Sequence, residues 1–144
     1  MKKILTTVAF IILSISIFAQ SNDSITNAQN INPKLKLQVY YFHITHRCNT
    51  CTSIEQELRK DLDSLFRKEI ENGIIRFASI NCELPENDAL ARKYDAYGAT
   101  LAFTIYANNK ELKKEDLTGW AFQKVNKPAI FANELKQKIS EALK

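Results

Sequence analysis

The sequence predicts an α/β domain, and three observations carry that prediction. Short runs rich in β-branched and aromatic residues alternate with longer stretches whose apolar residues recur at helical spacing. The junctions hold turn and cap residues in fitting places, such as Asn72-Gly73 after the first helical stripe and Pro85 ahead of Gly98 around the second. The chain has 144 residues, 45% hydrophobic and 25% charged, with only three glycines and three prolines, which suits one globular domain with a real core. The predicted order is β-α-β-α-β-β-α. Its two βαβ crossovers predict parallel strand pairs, and a closing hairpin adds an antiparallel edge.

Each element has its own warrant. Leu35 to Ile44, LKLQVYYFHI, reads as a buried strand. The stretch from Ser53 to Gly73 reads as a helix, with Ile54, Leu58, Leu62, Leu65, Phe66 and Ile70 on its inner stripe. Ile74 to Ile80, IIRFASI, is the second strand, and Pro85 to Gly98 holds the second helix. Leu101 to Tyr106, LAFTIY, is the third strand, Asn108-Asn109 a turn, and Lys110 to Thr118 the returning hairpin strand. Pro128 opens the last helix, which turns Ile130 or Phe131, Leu135, Ile139 and Leu143 inward.

The N-terminus reads as a targeting segment. Lys2 and Lys3 precede an apolar stretch from Ile4 to Phe18, with the small Ala19 at the expected cut. That stretch is shorter than the ~20 residues a spanning helix needs. Residues 1–19 are thus expected to be a cleaved signal peptide, and 20–33, rich in Asn, Ser and Thr, a disordered linker. The folded domain is expected over 34–144 and the mature protein in the periplasm or secreted, with no membrane contact after cleavage. Loss of Lys2 and Lys3 takes the formal charge from +4 to +2, too small a surplus for a nucleic-acid partner.

The chemistry concentrates in YYFHITHRCNTC, residues 40–51. Cys48 and Cys51 fall where the first strand gives way to the first helix, the carboxyl end of the sheet where active sites of α/β proteins collect. Cysteines three apart at a helix start lie on one face, within disulfide reach. Free N–H groups and the helix dipole favour an anion at the first of them, so Cys48 is expected as the attacking thiol, with Arg47 as a cation beside it. Cys51 is expected to resolve the mixed disulfide. Two other readings of the pair stand beside this one: a structural staple, or a metal or metalloid carrier drawing on His43 and His46 with both thiols. His43 inside a strand is more simply a packed histidine, and His46 a partner that tunes the Cys48 thiolate. Cys82 reads as a small buried hydrophobe at a strand end, with a third redox cysteine as the sharper alternative. The sequence holds no Gly-rich phosphate loop, hydrolase signature or zincin motif, and it calls for no cofactor.

With CNTC in that setting and INCELPENDALARKYDAYGATLAFTIYANNKEL downstream, the chain from about Lys34 to Lys144 resembles thioredoxin-fold proteins. The resemblance implies a three-layer fold, a central mixed sheet with helices on both faces, and exchange with a thiol or disulfide protein partner or a small thiol. More narrowly, residues 40–51 resemble small exported bacterial thioredoxin-like proteins, known as the nitrophenyl compound nitroreductase subunit ArsF family. Nothing in the chain suggests a flavin or nicotinamide site. Three positions depart from the thioredoxin pattern. Ala99 stands where thioredoxins have a cis-proline, and is expected trans. His46-Arg47 replaces the tryptophan before the first cysteine, and Tyr41 takes the place of the buried acid.

Overall fold

The structure, a computed structural model, describes residues 32–144. The expected signal peptide and all but the last two residues of the expected linker lie outside them. The described elements run β1 (Leu37–His43), α1 (Asn49–Glu71), β2 (Ile75–Asn81), a 3₁₀ turn (Pro85–Asn87) into α2 (Asp88–Lys93), β3 (Thr100–Ala107), β4 (Lys110–Asp116), α3 (Thr118–Lys124) and α4 (Pro128–Ala142).

The four strands form one sheet in the order β2-β1-β3-β4. Strand β1 is central because it is apolar on both faces: its first six residues are all buried. Leu37, Val39 and Tyr41 join the core under α1, α3 and α4, where Ile54, Leu58, Leu62, Phe131, Leu135 and Ile139 meet them. Tyr40 and Phe42 point to the other face and pack with Ala102, Ala96, Leu90 and Tyr94 around α2. The result is three layers, helices on both sides of a mixed sheet.

The pairing corrects one sequence-based expectation. β1 and β2 are parallel, with Leu37 opposite Ile75, but β3 runs antiparallel to β1, with Phe42 opposite Thr100. The reason is length. Helix α2 has six residues and spans about 9 Å at 1.5 Å per residue. β2 has seven residues and spans about 23 Å at 3.3 Å per residue. The chain therefore does not travel back to the start of β2, and it enters β3 at the carboxyl end of β1. Helix α2 ends before Gly98 because Asp95 takes a left-handed backbone, φ +50°, which closes the helix.

Three smaller differences also have physical causes. Helix α1 starts earlier than expected, at Asn49, because Cys48 caps it. Leu65, expected on the inner stripe, is exposed: the backbone at Phe66 leaves helical geometry (φ −134°, ψ 23°) and breaks the register there. Helix α3 was not foreseen, and it shortens β4. Leu117 N–H donates to the Leu101 carbonyl and Leu101 N–H to the Thr118 hydroxyl, which turns the chain off the sheet edge. Ala121 and Val125 then enter the core, and Trp120 stacks on Phe131 while donating to Glu134. The hairpin turn is as expected: Asn108 (φ +51°) and Asn109 (φ +62°) both hold the left-handed conformation that a two-residue I′ turn demands.

Candidate functional site: a dithiol at a helix cap

β1 delivers the chain to the carboxyl edge of the sheet, and α1 begins after five intervening residues. Cys48 is the N-cap of α1: its backbone is extended and its Sγ accepts the Cys51 N–H at 3.0 Å. Its carbonyl takes both the N–H and the hydroxyl of Thr52. Cys48 and Cys51 form a disulfide with Cα atoms 5.1 Å apart. The two sulfurs are not equivalent, since Cys48 is exposed and Cys51 half-buried. The cap N–H and the aligned peptide dipoles meet the Cys48 sulfur, where they favour negative charge.

Tyr41 lies beneath the pair. It is 1% exposed, and its hydroxyl donates to the Cys51 carbonyl at 2.7 Å. Burial pushes its phenol up to about 12, with Arg47 pulling down and Glu55 pushing up. The tyrosine aligned with the missing acid thus holds the backbone of the second cysteine, as a neutral donor.

His43, His46, Arg47, both cysteines and Ala99 line one small cavity of about 140 Å³. His43 is half-buried, and its Nδ1 donates to the Ile44 carbonyl at 3.0 Å. His46 is exposed. Ala99 lines the same cavity as the dithiol, and every peptide bond among the described residues is trans. Glu83 ties the loop down by accepting the Thr45 N–H, and hydrogen bonding from the Thr45 hydroxyl and N–H holds its carboxyl below the usual range. Among the described residues no group of three or more His, Cys, Asp or Glu side chains converges as a metal site. Cys82 is free and half-buried. Its N–H and S–H both point at the His43 carbonyl, at 2.8 and 3.1 Å, and it does not line the dithiol cavity. A roomier cavity, about 510 Å³, lies along β2 among Gln38, Gly73 and Phe77, and holds none of this chemistry.

Sequence reasoning missed the ion cluster beside the dithiol. Arg47 is not a free cation next to Cys48, because it donates to Glu55. Glu55 is 7% exposed and also takes the Arg59 guanidinium. Burial pushes the Glu55 carboxyl up, but the bonds from Arg59, Arg47 and Ser79 outweigh it and leave the carboxyl below its ordinary value. The Glu55–Arg59 spacing of four was readable as a helix-surface pair; that it faces inward to meet Arg47 was not.

No family model matches the chain, and no curated protein matches it. Among solved structures it is similar to thioredoxin-2 of the malaria parasite, at 18% identity and TM-score 0.44 over 74% of this chain and 82% of that one. It is also similar to Fasciola hepatica thioredoxin (19%, TM-score 0.39, 65% and 82%). A third is Chlamydomonas reinhardtii thioredoxin f2 (21%, TM-score 0.38, 68% and 86%). The fold is thioredoxin-like. The strand order, the reversed direction of β3 relative to the other three strands and the helix layers on both faces carry that statement.

Proposed function

We propose that this protein exchanges thiols and disulfides with partners through Cys48 and Cys51. The observation that carries the reading is the asymmetry of the bond: an exposed Cys48 sulfur on a helix cap, joined to a half-buried Cys51. A partner thiolate attacks the Cys48 sulfur, the bond to Cys51 breaks, and its electron pair leaves with Cys51. The partner's second thiolate attacks its own sulfur in the mixed disulfide, and Cys48 leaves as a thiolate stabilised by the cap. The partner is then oxidised by two electrons and the dithiol reduced; the reverse sequence reduces a partner disulfide. Partners are thiol or disulfide proteins, or a small thiol.

The resemblance of residues 40–51 to the exported ArsF-type group, and the targeting pattern of residues 1–19, support work in an oxidising compartment outside the cytoplasm, the periplasm of a bacterium in particular. No helix among the described residues is long and apolar enough to cross a membrane.

Equilibration of the purified protein across glutathione mixtures tests the exchange, with alkylation and intact mass as the readout. A reversible two-thiol transition confined to Cys48 and Cys51 is expected. A pair that stays oxidised at every mixture reducing enough for ordinary exchange dithiols is a staple. Export is tested by intact mass from a Gram-negative host: a mature start near Gln20 is expected, and a full-length membrane-retained species rejects it.

A further inference from the structure

Arg47 directly precedes Cys48, and its guanidinium is charged at every relevant pH. A free cation there would pair with the Cys48 thiolate and stabilise the reduced protein. The structure holds it elsewhere. Its Nη1 donates to Glu55 Oε2 and its Nη2 reaches Ser79 Oγ on β2 at 3.4 Å. The other Glu55 oxygen, Oε1, is taken by Arg59 through Nε and Nη2, at 2.9 and 2.7 Å. Arg59 is in turn fixed over the Phe77 ring, 4.7 Å from its centroid. Arg59 therefore leaves Oε2 to Arg47. The Glu55 side chain is 9% exposed, so water screens this pairing weakly. Arg47 nonetheless lines the same small cavity as both cysteines.

We propose that Glu55 is a positioning residue that holds the Arg47 guanidinium off the Cys48 sulfur and so keeps the dithiol less oxidising than an unrestrained Arg47 would make it; this rests on the exchange reading above. The charged and titratable neighbours are Tyr41 and His43 from β1, His46 and Arg47 from the loop, Glu55 and Arg59 from α1, and Glu83 from the loop after β2. Arg47 is the permanent cation adjoining Cys48 in the chain. Releasing it stabilises the Cys48 thiolate of the reduced form and leaves the neutral disulfide unchanged. In exchange with glutathione, two glutathione thiols give two electrons and two protons to the Cys48–Cys51 bond and join as glutathione disulfide. Loss of Glu55 drives that equilibrium toward the protein dithiol.

Two readouts test the assignment on the full chain: the glutathione equilibrium, and the pH midpoint of Cys48 alkylation in a Cys51→Ser background. Glu55→Gln is expected to move the equilibrium toward the dithiol by about tenfold, about 30 mV for a two-electron couple, and to lower the alkylation midpoint. In an Arg47→Gln background the same substitution is expected to do neither. Glu55→Asp, which keeps the charge with a shorter reach, moves both readouts the same way by less, and it decides the matter if Glu55→Gln does not fold. Unchanged readouts in the folded variants overturn the assignment. So does an equal shift in the Arg47→Gln background, where Glu55 would be acting through its own charge. A parent that never exchanges with glutathione removes the exchange reading instead, and the alkylation midpoints still decide the role of Glu55.

Discussion

Replacing Tyr41 by phenylalanine removes one oxygen from beneath the dithiol and little else. The ring is 1% exposed and stays in place, packed in the core between sheet and helices. What goes is a 2.7 Å hydrogen bond to the Cys51 carbonyl. That carbonyl lies in the first turn of α1 and keeps its helical acceptor role, so no buried group is orphaned. The loss is then the net value of one intramolecular hydrogen bond, about 1 kcal/mol, or about 4 °C in Tm for a domain of this size. Thermal unfolding of the oxidised variant beside the parent at neutral pH reads it. The pH dependence adds a second check. The buried Tyr41 phenol stands at about 12 against an ordinary 10, so the stability its neutral form carries is whole below pH 10 and is lost as pH rises through 12. The parent-to-variant gap should close over that window. An unchanged Tm, or a loss above about 3 kcal/mol, would refute the view that the hydroxyl only steadies the Cys51 backbone.

Other predictions concern groups around the fold. Asp61 is 2% exposed with an oxygen that finds no partner among the described residues, and burial raises its carboxyl above the ordinary value. Its stability contribution is present below the ordinary carboxylate range and lost as pH rises, so Asp61→Asn should gain about 1 kcal/mol at pH 7 in denaturant melts. That gain should vanish near pH 3; a loss at neutral pH contradicts the reading. Asn109→Val puts a β-branched residue at φ +62° and should cost about 1–2 kcal/mol, while Asn109→Gly should cost nothing; equal Tm values for the two would mean the turn relaxes. Reduced protein should bind zinc only weakly in equilibrium dialysis, with His43→Ala hardly different. Tight stoichiometric binding lost on replacing His43 or His46 would put the carrier reading first.

The legible parts of this molecule were those with a short-range cause. The run from Val39 to Phe42 is apolar or aromatic at four consecutive positions, which marks a strand buried on both faces, and it is the central one. The pair of left-handed asparagines announces its own turn. The cysteine pair near the helix start followed from its place between the first strand run and the first helical stripe, although the cap at Cys48 lies ahead of where that stripe begins. The illegible parts depend on contacts between distant segments. The direction of β3 is set by how far α2 travels, which needs its closing residue, Asp95, to be known. Helix α3 is only seven residues long and is held by bonds from Leu101, 16 or more positions earlier, so its own pattern is too short to speak. The Arg47–Glu55–Ser79 cluster joins the loop, α1 and β2, and no spacing along the chain encodes it.

The claim that Cys48 attacks and Cys51 resolves is tested most directly by trapping. The Cys51→Ser and Cys48→Ser variants are each incubated with oxidised glutathione below neutral pH, and mixed disulfides are counted by intact mass. Cys48 sits exposed on the cap, while Cys51 is half-buried one turn in. Cys51→Ser should therefore accumulate one glutathione adduct, on Cys48, because the internal attack that releases it is gone. Cys48→Ser should accumulate few, and Cys82→Ser should behave as the parent does. Equal adduct formation at Cys48 and Cys51, or none at either, would contradict the account and leave the disulfide as a staple.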